Sequence, residues 1–198
     1  MPLDIHLLSG EAIRPVIDDL VRLRIEVFRE YPYLFDGNPD YEAGYLDAYV
    51  RSAWSLGVLL FDGGKVVGAA TGLPLQDEAE AFQRPFLEQG WNPERIFYFG
   101  ESVVLPEYRS VDLDLRFFAE RERFARGLNR FDWCAFCALR RPRDHPARPA
   151  SYRDPDAFWL QRGFTPQPGL QAEYRWCDIG GEQQATAKPM VFWLKELT

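Results

Sequence analysis

The sequence predicts a single α/β domain, and three observations carry that reading. Apolar runs of strand length alternate along the whole chain with segments of helical period. The runs at residues 56–61 and 66–71 flank Asp62-Gly-Gly-Lys65, a hairpin signal. Residues 97–127 read as a buried strand, a tight basic turn and an amphipathic helix, the order that sets an anion-binding helix N-terminus against a sheet. With 198 residues the chain is long enough to bury a substantial core, and no repeat, low-complexity tract or second core is visible.

The elements follow in order. Residues 3–8 read as a short edge strand ending at Ser9-Gly10. In residues 15–28, Val16, Leu20, Leu23 and Val27 recur at helical spacing, with Pro15 suited to the first turn. An aromatic loop, Tyr31-Pro-Tyr-Leu-Phe35, leads to a second helix over about 40–54. After the hairpin, residues 76–94 are charged and interrupted by Pro85, Gly90 and Pro93, which suits a helix plus a covering loop.

Beyond the strand–turn–helix unit, residues 131–139 form another apolar strand. Residues 140–155 hold four prolines and five arginines and read as a surface loop. A helix over 155–162 stops at Gly163, a natural C-terminal glycine. Two closing strands are expected at about 172–178 and 190–194, with a polar loop over 180–188 between them.

Composition excludes several roles. A net charge of −7 disfavours a nonspecific grip on nucleic acid or an anionic membrane. The N-terminal residues lack the basic start and apolar run of a signal peptide, and no stretch approaches the roughly 18 to 20 apolar residues of a membrane span. The three cysteines, Cys134, Cys137 and Cys177, are odd in number, which favours a reducing, cytoplasmic setting. Cys134 and Cys137 form a CxxC, but within a strand residues three apart face opposite ways, so packing rather than metal binding is expected. The two closing strands and the apolar C-terminus are compatible with a homodimer.

Three motifs resemble the GNAT superfamily of acyl-CoA-dependent N-acetyltransferases. Val103-Val-Leu-Pro-Glu-Tyr-Arg109 looks like the end of that family's fourth strand and the start of its pyrophosphate loop. The next helix carries Phe117, Phe118, Phe124 and Leu128 on its inner side, and Ala157-Phe-Trp-Leu-Gln-Arg-Gly-Phe164 looks like the family's helix ending in Gly-Phe. The resemblance spans nearly the whole chain. It implies a mixed, mostly antiparallel sheet of six to seven strands, flanked by helices and splayed between the fourth and fifth strands. It also implies acetyl-CoA as acyl donor and a small-molecule or peptide amine as acceptor.

Mapped residue by residue, the resemblance implies that Val103, Val104 and Leu105 offer backbone amides to the thioester and pantetheine arm. Arg109, Ser110, Val111, Asp112, Leu113, Asp114 and Leu115 would then meet the diphosphate at a helix N-terminus. The family loop reads Arg/Gln-x-x-Gly-x-Gly/Ala, because side chains would obstruct the backbone's approach to phosphate. Here Asp112 and Asp114 stand at the two small positions. A carboxylate ~5 Å from a phosphate charge is repelled by roughly 3 kcal/mol before screening. The same carboxylates could instead cap the helix and stand in for the anion. A fold that has lost strong coenzyme binding, acting as a ligand-binding or protein-interaction module, is the alternative.

Trp159 stands where the family often places a tyrosine acid, and indole has no acid chemistry at neutral pH. Tyr152 and Tyr98 are the nearest phenols by sequence. Glu101, in an otherwise apolar strand, is the candidate to guide or deprotonate the amine, or else it forms a salt bridge. Tyr31 to Phe35, with Tyr41 and Tyr45, lie where the family builds its acceptor site and could form a cationic cage or pack the core. The arginines of the 140–153 segment could meet an adenosine phosphate or remain solvated.

Overall fold

The computed structural model describes residues 3–180 and 184–197. Seven strands form one sheet: β1 (Asp4–Leu8), β2 (Leu56–Asp62), β3 (Lys65–Pro74), β4 (Ile96–Val104), β5 (Trp133–Leu139), β6 (Thr165–Trp176) and β7 (Thr186–Glu196). They are ordered β1-β2-β3-β4-β5-β7-β6, and every pairing is antiparallel except β4 with β5. The helices are α1 (Ile17–Phe28), α2 (Pro39–Arg51), α3 (Glu80–Glu88), α4 (Val111–Gly127) and α5 (Asp156–Gln161).

Local chemistry explains most of the boundaries. Asn38 caps α2, its side-chain oxygen accepting from the amides of Asp40 at 2.9 Å and Tyr41 at 3.3 Å, with Pro39 in the first turn. Gly63 and Gly64 at φ +55° and +86° make the two-residue turn between β2 and β3. Pro15 falls in a 3₁₀ segment, Gly10–Val16, that leads into α1.

The closing strands are longer than expected from sequence. β6 begins at Thr165 and contains Pro166, Pro168 and Gly169, residues that mask a strand in a linear reading. It tolerates them because it is the sheet's edge and shifts register between Gln167 and Gln171. The expected loop over 180–188 lies partly outside the described residues, and Thr186 to Lys188 belong to β7.

The core is aromatic on both faces. α4 and α5 pack on one face, where Phe118 lies 5.7 Å from Phe99, 5.8 Å from Phe136 and 5.5 Å from Phe158, centroid to centroid. Phe82 of α3 meets Tyr98 on the other, 5.3 Å away. α1 lies on that second face too, since its Arg24 reaches the side chain of Glu101. Phe117 is buried as expected, while Phe124 and Leu128 are only partly covered. Among the described residues no helix is long and apolar enough to cross a membrane.

Candidate active site

The site is built where β4 leaves its parallel neighbour. β4 pairs with β5 only from Ile96 to Tyr98, opposite Trp133 to Ala135, although both strands continue. The cause lies on the other side of β4. Ala70 of β3 pairs with Ser102 and Gly72 with Phe99, so Thr71 alone faces Gly100 and Glu101. That is a β-bulge, and the extra residue bends the strand. A side chain on Gly100 would put its Cβ 2.0 Å from the Tyr49 hydroxyl, so the bulge needs glycine there. The bulge also resets the strand's alternation, placing Glu101 on the same face as Tyr98.

The open edge of β4 follows from its pairing with β3. The Leu105 amide donates to Val67 O at 3.0 Å, which makes that pair a hydrogen-bonded one. Amides alternate along an antiparallel strand, so Val103 also turns toward β3, while Ser102 and Val104 turn toward the gap. This corrects the expectation that Val103, Val104 and Leu105 all present amides there. Ser102 takes the place of Val103 and Leu105.

Glu101 points into a buried cluster. Arg24 Nη1 lies 2.6 Å from Glu101 Oε2, and Arg24 Nε donates to Glu42. Rings of Tyr45 and Phe28 cover the guanidinium at 4.1 Å and 4.9 Å, so the cation held by the aromatic residues of this region is the chain's own Arg24. Burial works against the Arg24 charge, but Glu101, Tyr45 and Glu42 together raise it above the ordinary guanidinium range. Glu101 is raised by burial, against the pull of Arg24. Glu78, 4% exposed, is pushed up to about 7, chiefly by burial. Its Oε2 lies 3.4 Å from the Tyr49 hydroxyl. Glu42 Oε1 and Glu101 Oε1 are buried without a hydrogen-bond partner.

The turn before α4 differs from both sequence expectations. Ser110, not Asp112 or Asp114, caps the helix, its Oγ accepting from the Leu113 amide at 3.2 Å. Asp112 and Asp114 lie exposed in the first turn, where the helix dipole favours acidic groups. Although Asp114 keeps solvent contact, the protein packed around it partly desolvates its carboxyl and raises it, against Arg121 and Arg109. Val111 and Leu115 are exposed and Leu113 is buried. Arg109 is engaged within the chain: Nη1 and Nη2 meet Glu30 at 2.7 and 3.0 Å, and Nε donates to Val104 O at 2.9 Å.

The phenols are distributed unevenly. Tyr152 sits in the loop after β5, its ring 4.7 Å from Tyr31 and under Arg148 at 4.8 Å. Tyr98 is buried, with its hydroxyl 3.0 Å from Cys137 Sγ. Tyr33, in the loop after α1, stacks at a tilt on Phe28 with ring centroids 4.6 Å apart, and its carbonyl accepts from Trp176 Nε1 at 3.0 Å. Burial is the main cause of its raised pKa. Trp159 packs edge-on against Phe136 and Trp193 at 4.9 and 5.0 Å, a structural role.

Arg140, Arg141 and Arg148 are paired with Asp156, Asp178 and Asp154. Cys134 and Cys137 are buried free thiols, with Cys137 pushed up to about 12 by burial. No group of three metal-binding side chains occurs among the described residues. Arg24, Glu42 and Glu78 went unrecognised because each lies in a helical or charged stretch where a solvated face is the ordinary reading. Only Glu101, a carboxylate within an apolar run, stood out in the sequence.

No protein-family model and no curated protein sequence matches this chain. Its backbone resembles many solved structures. An N-acetyltransferase from Staphylococcus aureus Mu50 has a TM-score of 0.60 at 10% identity, with 98% of this chain and 99% of that one covered. The PaiA N-acetyltransferase from Thermoplasma acidophilum, solved in complex with coenzyme A, has a TM-score of 0.55 at 12% identity, with 99% of each chain covered. BjaI, a CoA-dependent acyl-homoserine lactone synthase solved with MTA, has a TM-score of 0.59 at 17% identity, covering 100% of this chain and 84% of that one. With the single parallel pair, the bulged β4 and its parting from β5, these likenesses establish that the chain has the fold of the GNAT acetyltransferases.

Proposed function

We propose that this protein is an acyl-CoA-dependent N-acyltransferase that moves an acetyl group to a primary amine of a small molecule or peptide. The observation that carries the reading is the parting of β4 from β5 after Tyr98 and Ala135, beside a buried carboxylate with an unpartnered oxygen. The gap suits an extended thioester arm, because Ser102 and Val104 offer amides to it. A cationic amine suits the acid face: Glu42, Glu78 and Glu101 are buried around a single paired guanidinium.

Direct attack in a ternary complex then balances simply. The nitrogen lone pair forms the C–N bond to the acyl carbon as the C–S bond breaks. The ammonium form first gives one proton to Glu101 Oε1, which frees that lone pair; after attack the nitrogen's second proton passes to solvent, and the thiolate leaves after taking a proton from solvent or a phenol in the gap. Tyr152 and Tyr33 are the candidate phenols for that proton, Tyr152 with its ring 4.7 Å from Tyr31 and Tyr33 with its ring 4.6 Å from Phe28. A cytoplasmic setting and a homodimer belong to the same proposal.

The phosphate end favours a second reading. Ser110 already occupies the Leu113 amide, Arg109 is neutralised by Glu30, and two aspartates stand in the first helical turn. A non-catalytic ligand-binding module with weak coenzyme affinity fits those facts. Calorimetric titration with acetyl-CoA, followed by thiol-release assays over a panel of primary amines, separates the two. Binding with amine-dependent thiol release supports the transferase, and absence of binding at millimolar coenzyme removes it.

A further inference from the structure

Arg121 lies in the middle of α4, 2% exposed, and forms no ion pair with a carboxylate among the described residues. Its hydrogen bonds all go to neutral oxygens. Nε donates to Phe117 O at 3.2 Å, and Nη1 donates to both Thr71 O and Glu101 O at 3.3 Å. Nη2 donates to Ser102 Oγ at 2.9 Å, and the guanidinium rests on Phe99 at 4.4 Å and Phe118 at 4.9 Å. Burying a cation with no carboxylate in direct contact is costly, even with Glu101 and Asp114 acting on it from farther off, and an apolar side chain would fill the same space more cheaply. A reason for arginine here must lie in what it touches.

What it touches is the bulge. Thr71 and Glu101 flank the break in the β3–β4 ladder, so their carbonyls need donors from elsewhere. Arg121 supplies both from one nitrogen. In the peptide joining Glu101 to Ser102, the carbonyl points toward β3 and the amide of Ser102 points the opposite way, into the gap. A cation hydrogen-bonded to that carbonyl draws density through the amide group and strengthens its N–H as a donor. That N–H is one of the two open amides on this edge.

We infer that Arg121 is a positioning residue that pins the β4 bulge and polarises the Glu101–Ser102 peptide, so that the Ser102 amide holds an acyl carbonyl as it gains negative charge. The inference rests on the transferase reading for its chemistry, but its structural half stands without it. A preorganised donor of this kind acts where charge develops in the transition state. Loss of the polarisation therefore falls on turnover and not on coenzyme affinity.

The test uses the full chain and compares wild type with Arg121→Met, Arg121→Lys and Ser102→Ala. In ligand-free protein, amide hydrogen exchange over residues 100–104 becomes at least tenfold faster in Arg121→Met and stays within threefold in Arg121→Lys. With acetyl-CoA and an accepted amine, Arg121→Met lowers kcat at least 30-fold with KM for acetyl-CoA within threefold. Arg121→Lys, which keeps the charge, recovers most of kcat. The infrared band of ¹³C-labelled thioester carbonyl in the complex shifts to higher frequency in Arg121→Met.

Unchanged exchange in Arg121→Met overturns the inference, as does an unshifted carbonyl band or a fall in affinity that parallels the fall in turnover. If wild type binds no acetyl-CoA while exchange behaves as stated, the transferase reading fails and the pinning of the bulge stands. Should Arg121→Met not fold, Ser102→Ala removes one of the arginine's bonds at an exposed residue. It is expected to raise exchange at the bulge at least threefold, and no change there would sink the inference.

Discussion

Arg24 and Glu101 stand 77 residues apart in the chain and meet with Nη1 2.6 Å from Oε2, while the same guanidinium also holds Glu42. This one cation ties α1, α2 and the bulged strand together in a place almost closed to water. Removing it leaves two buried carboxylates without compensation. Arg24→Met is therefore expected to destabilise the protein by about 3 to 5 kcal/mol, read as a lower urea midpoint. An unchanged midpoint would mean that both carboxylates are protonated in the native state.

Glu101→Gln keeps the shape and one hydrogen bond to Arg24 while removing the base. Turnover should fall at least tenfold with acetyl-CoA affinity unchanged. Equal activity would take Glu101 out of the reaction and leave it as the partner of Arg24 alone.

Asp112→Gly combined with Asp114→Gly is expected to strengthen acetyl-CoA binding at least tenfold by calorimetry, since each removes repulsion of roughly 1 kcal/mol after screening. Affinity that does not move would show that the two carboxylates face away from the diphosphate.

Glu78 predicts the pH dependence of stability. Its folded value is raised from the usual 4.5 to about 7, so between those values the unfolded chain ionises first. The unfolded state then binds fewer protons than the native one, and stability declines as pH rises through that window. The size is about 3 kcal/mol from the shift, flat above it. Glu78→Gln should abolish that decline in denaturation curves taken at pH 4.5 and 7.5. A mutant with the wild-type slope would assign the decline to another group.

Gly100→Ala is expected to cost about 1 to 3 kcal/mol, because the new Cβ collides with Tyr49 Oη and the bulge must shift. Recovery in the double variant with Tyr49→Phe would identify the hydroxyl as the obstacle. Absence of recovery would leave Thr71 Oγ1, 2.6 Å from the same Cβ, as the obstacle.

Particular elements show how far the linear pattern reaches. The 56–71 hairpin, α1, α4 and the helix ending at Gly163 were legible because spacing, glycines and caps act within a few residues of chain. β6 was not, since its prolines and glycine contradict strand propensity and only edge position makes them harmless. Glu101 stood out as a charge inside an apolar run. Glu78 and Arg24 did not, because nothing within their own turns of chain marks them as buried.

Read alone, the residues determined that this chain takes an α/β fold, where most of its helices and strands fall, and that its fourth strand leads through a tight turn into a helix. Those are consequences of local backbone geometry and apolar period. Tertiary structure decided which amides face the gap, that Ser110 does the capping, that Arg109 belongs to Glu30, and that Arg24 and Arg121 grip Glu101 from opposite faces of the sheet. Each of these depends on desolvation and hydrogen bonding between groups distant in sequence, and such free energies exist only once the chain has closed around them.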